Sequence, residues 1–510
     1  MGQFLSTSSK STSRILPRKT EHDITESCSD LGHPQTPLDG LPVLKKAKGH
    51  YWYPVKGPKI LDACGGAGVA CLGHGCRDII KAVTAQMESY TYASYAHFQT
   101  TPVQELSDWL IKSTGGQMQK VYVMCSGSEA IEAALKLSVE YFRWKGEPER
   151  VNFIARHDSY HGTTLGSLSV SGHHTRRAPF HPLLSPSHFH HIPACNPYRE
   201  EEGQYQPQHP SNNNTTTPSP TTTPSSSSPP SAASAAAAYL SHKTAQLEAA
   251  FARLGPHTVA AVVLEPVVGA ALGCMPAPAG YLAAMKAVCA RHGALLVLDE
   301  VMCGMGRVGS THAWQGETNE VGEGVGVVPD LQAVAKGFAG GYAPASALLV
   351  GARVAGLMER EGRVFTHGHT YQNHPVVAAA ALAVQRAVER EGLLENVRVQ
   401  GALLGRLLRE RLRMHPNVGD VRGRGLFWGV EFVKDRGTKE PFEPGLGVAE
   451  KVHKTAVREF RVLVYHGQGC AGGGRGDHIM IMPAYNISAK LVAEIVERVA
   501  GAIEEVFRRL

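Results

Sequence analysis

Nowhere does the 510-residue chain reach the roughly 18 consecutive apolar residues that a membrane-spanning helix requires, so no stable membrane insertion is expected. A surplus of one charge is also lacking: 51 Lys and Arg stand against 45 Asp and Glu, a formal net charge of +6. Nucleic-acid binders concentrate basic side chains on one face, and no nucleic-acid partner is expected from this balance. The ten cysteines include no C-x-x-C pair, and most lie within apolar runs. Disulfide frameworks belong to small secreted chains, so these residues are read as reduced thiols. No secretory apolar core follows Met1. There is no G-X-Y period and no internal repeat, although glycine is plentiful at 54 of 510, above the average of about 7%. An apolar fraction of 43% is enough for a large core. A fibre, a membrane protein and a fully disordered chain are thereby excluded, leaving a large α/β protein with many tight turns.

Residues 1–20 contain no acidic side chain. Met1-Gly2-Gln3-Phe4-Leu5-Ser6 fits the N-myristoylation pattern, while the Ser- and Arg-containing composition fits a mitochondrial presequence. A plain flexible tail fits equally. The chain is expected inside the cell, cytoplasmic by default, with mitochondrial import or a weak single-chain lipid anchor as alternatives. A second low-complexity stretch, at 204–238, runs through Gln, Asn, Thr, Ser and Pro and then Ala. It is expected to be a disordered surface insertion, because its composition cannot bury a core.

Elsewhere apolar strands alternate with helical patterns. Val121–Met124, Val259–Leu264, Ala294–Leu298, Leu331–Ala335 and Ser346–Val350 read as buried strands. Glu129–Tyr141, Tyr281–His292 and Pro375–Arg390 read as helices, the last with Pro in its first turn, where it is tolerated. This alternation implies a mainly parallel sheet covered on both faces. From about 393 onward, two amphipathic helices around short strands suggest a smaller α+β domain.

Open α/β sheets place ligands at the carboxyl ends of their strands, and three such ends carry chemistry. Cys125-Ser126-Gly127-Ser128-Glu129-Ala130 joins a strand to a helix N-terminus. It reads either as an ordinary N-cap or as an anion site. Asp299 closes one buried strand, where a carboxylate could cap a helix or hold a metal. Lys336 follows another and precedes Gly337-Phe338-Ala339-Gly340-Gly341. Desolvation there would make it a nucleophilic amine, although spacing alone does not separate it from a surface lysine. His188, His190 and His191 invite a metal reading, but no second cluster with ligand spacing accompanies them, and no metal is expected.

Taken in order, Ser126-Gly127-Ser128-Glu129-Ala130, Tyr160-His161-Gly162, Leu264-Glu265-Pro266, Asp299 through Arg307, Pro329-Asp330-Leu331 with Ala335-Lys336-Gly337, and His367-Gly368-His369-Thr370-Tyr371 resemble the class III aminotransferases, the ornithine/4-aminobutyrate type. The resemblance runs from about residue 50 to the C-terminus. It implies fold type I: a large domain with a mostly parallel sheet plus a smaller α+β domain, binding pyridoxal 5′-phosphate in a homodimer with a shared site. On that resemblance Lys336 is the Schiff-base lysine and proton carrier, and Asp299 faces the pyridinium nitrogen. Val301 and Tyr160 cover the two ring faces, and His161, of the Tyr160 motif, supports the ring face. Ser126, Gly127 and Ser128 bind the phosphate, joined by Thr370 from the second subunit. Glu265 lies beside the ring, as a substrate-switching residue or as part of a local network. Residues 1–40 are then a tail, and 41–100 an N-terminal segment contributing to the small domain. Residues 101–365 form the large cofactor domain, interrupted at 204–238, and 366–510 form its end and the C-terminal small domain.

The substrate is less constrained. Met302 stands where the ornithine and 4-aminobutyrate branches often have glutamine, and Ile481-Met482-Pro483-Ala484-Tyr485 replaces an Ala-Pro-Pro pattern. Trp52 and Tyr53 align with aromatic residues of the pocket, or simply pack the N-terminal segment. Arg475, in the Gly-rich loop His466–Gly476, is the candidate for gripping a substrate carboxylate bidentately, or else a surface arginine. The expected activity is transfer of an amino group from an ω-amino acid, amine or amino acid to an oxo-acid. The alternatives are another reaction of the same cofactor (aminomutase, racemase, decarboxylating aminotransferase or phospho-lyase) and a binding protein without activity. The presence of Lys336, Asp299 and Thr370 speaks against the last.

Overall fold

The computed structural model describes residues 42–200, 232–317 and 326–510. The tail, with Gly2 and Cys28, and positions 204–231 of the insertion lie outside the described residues.

Seven strands form the central sheet, in the spatial order Met118–Met124, Ser346–Gly351, Leu331–Ala335, Leu295–Asp299, Val259–Leu264, Asn152–Arg156 and Phe189–Ile192. All run parallel except Ser346–Gly351, which is antiparallel to both neighbours. The central strands are apolar along their whole length because both faces are covered. Val263, Leu295, Val297, Leu331 and Ala333 pack against Ala130, Ala134 and Leu137 of the helix Gly127–Trp144. Their sequence neighbours Val262, Leu264, Leu296 and Leu298 turn the other way, onto Tyr281, Leu282 and Met285 of the helix Tyr281–Arg291. The period-2 alternation of a strand thus feeds two separate cores.

The chain ends meet. Leu44–Lys48, Tyr51–Pro54 and Ile60–Asp62 form a sheet that is completed by Val462–Leu463, parallel to Ile60–Asp62. Leu61, Cys71 and Ile79 share one core with Val397, Leu404, Val452, Ile495 and Val499. A second four-stranded sheet holds Val418–Arg424, Phe427–Phe432, Asp477–Ile481 and Tyr465–Gln468. Three long helices cover this region, Leu393–Leu412, Val448–Arg458 and Ala489–Arg509, where the sequence suggested two. The Met482–Tyr485 stretch knits the two ends together: Met482 N donates to Ala63 O at 2.7 Å, and Tyr485 N to Cys71 O at 2.7 Å.

The expected disorder at 204–238 does not extend to its end. Ala232–Leu254 is one helix, so positions 232–238 are its first turns and not disordered chain. Alanine has the highest helix propensity, and the helix is anchored downstream by buried Leu247, Ala250 and Phe251.

The helix Leu393–Leu412 lies close on the small domain's sheet through Gly401 and Gly405. A Cβ on Gly401 would collide with the backbone carbonyl of Gly425, which cannot swing aside. Gly401→Ala is therefore expected to destabilise the protein by about 1–3 kcal/mol despite alanine's better helix propensity, as read from a lowered thermal midpoint. An unchanged midpoint would show that this packing yields.

Candidate functional site

The carboxyl ends of the parallel strands open on one cavity of about 440 Å³. Its walls include Ser126, Gly127, Ser128, Tyr160, His161, Glu265, Asp299, Val301, Met302 and Lys336. Register explains the convergence. Leu264 pairs with Leu298, which puts Glu265 beside Asp299. Ala335 pairs with Ser346 and Ser346 with Met124, which puts Lys336 near the start of the helix Gly127–Trp144.

That helix start is a completed capping box: Ser126 Oγ accepts from Glu129 N, and Glu129 Oε2 accepts from Ser126 N at 2.7 Å. The N-cap reading of the motif is thus met. The cap satisfies Glu129 N, whereas the first-turn amides of Gly127 and Ser128 have no carbonyl four residues back within the helix. A Cβ on Gly127 would lie 2.8 Å from both Val301 methyl carbons, so glycine is what keeps the cradle open beside Val301. Gly127→Ala is expected to weaken retention of an anionic cofactor about tenfold, measured by equilibrium dialysis, because it pushes the first turn away from Val301.

Asp299 is buried, and each of its oxygens has one partner. His161 Nδ1 lies 2.8 Å from its Oδ2, and Val301 N donates to its Oδ1 at 3.0 Å. An ionised carboxylate only accepts, so Nδ1 carries the proton in this pair. His161 Nε2 is buried and has no partner among the described residues. His161 thus supports Asp299, and its amide donates to Ser171 Oγ at 2.8 Å. Glu265 Oε1 accepts from Tyr160 N at 3.1 Å, and its Oε2 from Gly269 N at 3.0 Å. Burial pushes its carboxyl above the ordinary range; His161 opposes this, and the charge on Asp299 adds to it.

Lys336 adopts a left-handed backbone, φ 50°, which is rare for a residue with a side chain. The turn is clamped from behind: Gln385 Nε2 donates to the carbonyls of Gly337 at 3.0 Å and Phe338 at 2.7 Å. Burial lowers the Lys336 amine to about 8; Asp299 opposes this, and Arg176 reinforces it. A buried amine of this kind is a competent nucleophile near neutrality. With the glycine cradle, the carboxylate and this amine around one cavity, the residues fit pyridoxal phosphate.

Four cofactor or substrate candidates, Thr370, Trp52, Tyr53 and Arg475, and the histidines of the metal reading lie apart from the cavity walls. Thr370 is exposed, and its carbonyl accepts from Tyr92 Oη at 3.0 Å. Trp52 packs on His74, ring centroids 4.0 Å apart, and Tyr53 meets Lys46. Arg475 is 48% exposed and 3.5 Å from Glu443. His190 and His191 lie on the strand Phe189–Ile192, where His191 Nε2 faces the carbonyls of Val170 and Ser171.

Conversely, the cavity includes Arg176, Tyr465, Ala67, Val69 and Pro344. Arg176 rides on the single turn His174–Arg177. An Arg pair in a short polar segment has no periodicity to mark it, and only tertiary placement reveals it.

The aminotransferase class-III family profile matches residues 36–503. An aminotransferase of Gibberella zeae is 45% identical over 450 residues, covering 88% of this chain and 81% of its own. An aminotransferase of Schizosaccharomyces pombe is 39% identical, covering 91% of this chain and 92% of its own. Among solved structures, a thermostable (S)-enantioselective omega-transaminase from Thermomicrobium roseum superposes with a TM-score of 0.80 at 29% identity, covering 96% of this chain and all of its own. No helix among the described residues is long and apolar enough to cross a membrane. With Lys336, Asp299 and the glycine cradle gathered at one strand edge, the chain belongs to the class-III aminotransferases, a family dependent on pyridoxal phosphate.

Proposed function

We propose that this site moves an amino group from an ω-amino acid, amine or amino acid to an oxo-acid. The observation that carries the reading is the buried Lys336 amine sharing one cavity with Asp299 and the Gly127 cradle. When bound, pyridoxal phosphate supplies an aldehyde carbon that accepts the amino group and a ring that draws off electrons. Gly127 and Ser128 hold the phosphate at the helix N-terminus, with Ser126 keeping that terminus in shape. Val301 and Tyr160 confine the ring. Asp299, kept in place by His161, would lie toward the ring nitrogen and would favour its protonated form. Lys336 would hold the cofactor's aldehyde carbon, and its amine, buried in the cavity, would serve as the proton carrier of the site. Glu265 hydrogen-bonds the Tyr160 amide and so sets one wall of the ring pocket.

A homodimer completes the site, Thr370 of one copy reaching the phosphate of the other. Its exposed position, beside the exposed Tyr92 and Tyr371 and near Tyr95, supports this arrangement. The apolar residues Ala67, Val69, Ala270 and Pro344 leave room for a donor's hydrocarbon portion. The test is a half-reaction screen of cofactor-loaded protein against a panel of amines and amino acids. A true donor abolishes the visible band of the lysine-bound cofactor, and an oxo-acid restores it. Release of carbon dioxide or phosphate with no acceptor present would instead indicate another reaction of this cofactor.

A further inference from the structure

Of the charged groups around the cavity, Arg176 is the one given neither a hydrogen-bonded partner nor a role toward the cofactor above. Asp299 is engaged by His161, and Glu265 by two backbone amides. Lys336 is assigned to the cofactor above. Arg176 lines the same cavity, and among the described residues it makes no ion pair. Its guanidinium carbon lies 4.3 Å from the centroid of the Tyr160 ring. Stacking on an aromatic face fixes the plane of a guanidinium while leaving N–H groups free to form a bidentate pair.

The turn that carries Arg176 is seated by the loop that carries Arg475. A Cβ on Gly474 would lie 3.0 Å from Thr175 Cγ2 and 3.2 Å from His174 Nδ1, so the Gly-rich loop fits closely over this turn. Arg475 itself is outside the cavity, beside an exposed Glu443. One arginine thus faces the chemistry, and the other faces outward.

We propose that Arg176 is the carboxylate receptor of the site, pairing with the carboxylate of the oxo-acid acceptor and of the amino acid formed from it. Amine donors without a carboxylate use the apolar wall instead. This rests on the transamination reading above. It places acid recognition on the segment after Tyr160 and not on the C-terminal Gly-rich loop.

The test uses full-length, cofactor-loaded enzyme and two matched pairs of probes, pyruvate against propanal and alanine against 1-phenylethylamine, each followed by its half-reaction. Arg176→Ala is expected to raise the concentration of pyruvate and alanine needed for half-maximal rate by about 100-fold, the cost of a lost charge-assisted bidentate pair. Propanal and 1-phenylethylamine should shift by less than about fivefold. Arg176→Lys, with the charge but not the fork, should recover about tenfold of the loss. Arg475→Ala should change pyruvate by less than about threefold. Equal losses on all four probes would reduce Arg176 to a structural role and overturn the proposal. So would a loss that follows Arg475 instead. A wild-type enzyme converting none of the probes would overturn the transamination reading and the proposal with it. Normal use of propanal and 1-phenylethylamine, with pyruvate unaffected by Arg176→Ala, would overturn the proposal alone.

Discussion

Lys336→Ala is expected to cut steady-state amino transfer by about 10⁴-fold, the upper range for loss of a positioned acid–base group. The fold should survive, because the clamp from Gln385 binds the carbonyls of Gly337 and Phe338, not the lysine side chain. The visible band of lysine-bound cofactor should vanish, while noncovalent cofactor retention through the helix N-terminus persists. A second consequence concerns stability. In the folded chain without cofactor the Lys336 amine is lowered from 10.5 to about 8 by burial. Between those values the unfolded chain binds more protons than the folded one, so stability rises with pH across that window. Below about pH 8 both states are protonated, and the folded state bears the full cost of a buried ammonium, roughly 3 kcal/mol. The thermal midpoint of the cofactor-free chain should therefore rise between pH 8 and 10 relative to that of Lys336→Ala. Parallel curves for the two proteins would show that the amine is not buried in its charged form. Turnover retained within tenfold would remove Lys336 from the chemistry.

The second large effect is expected at Asp299. Asp299→Asn keeps the size and removes the charge. With its oxygen kept on the Val301 amide, the new NH2 faces His161 Nδ1 and donates to it once the imidazole proton moves to Nε2, so the contact persists as a neutral hydrogen bond. The variant should fold and capture cofactor covalently, yet turn over about 10²–10³-fold more slowly. A carboxylate at contact distance raises the affinity of a ring nitrogen for its proton by one to three pKa units, and that proton makes the ring an electron sink. The discriminating measurement combines kcat with the visible spectrum. A merely structural Asp299 would lower cofactor retention and leave the turnover of the loaded fraction intact. The expected result is the opposite.

How much of this was legible beforehand depends on where the information sits in the chain. Val259–Leu264 and Leu331–Ala335 were readable with their observed ends, because a strand buried on both faces must be apolar at every position. Pro375–Arg390 was readable because proline marks a first turn. Asp299 and Lys336 stood out as charges at strand ends, but only the ordered set of motifs separated them from a helix cap and a surface lysine. The Ala run at 232–238 misled for the opposite reason: its composition resembles a linker, and its helicity is held by Leu247, Ala250 and Phe251, well downstream. The Arg176 turn is covered by the loop at Gly474, which lies far along the chain from it.

By itself, then, the chain determined which strands are buried, which charged groups end them, and which family the ordered motifs resemble. These are properties of contiguous residues, and a local pattern carries them. Only the tertiary structure decided that Glu265 sits next to Asp299, that Gln385 holds the Lys336 turn, and that the cavity includes Arg176 while Arg475 stays outside it. Each of these depends on sheet register or on the packing of distant segments, and no short window of sequence encodes either.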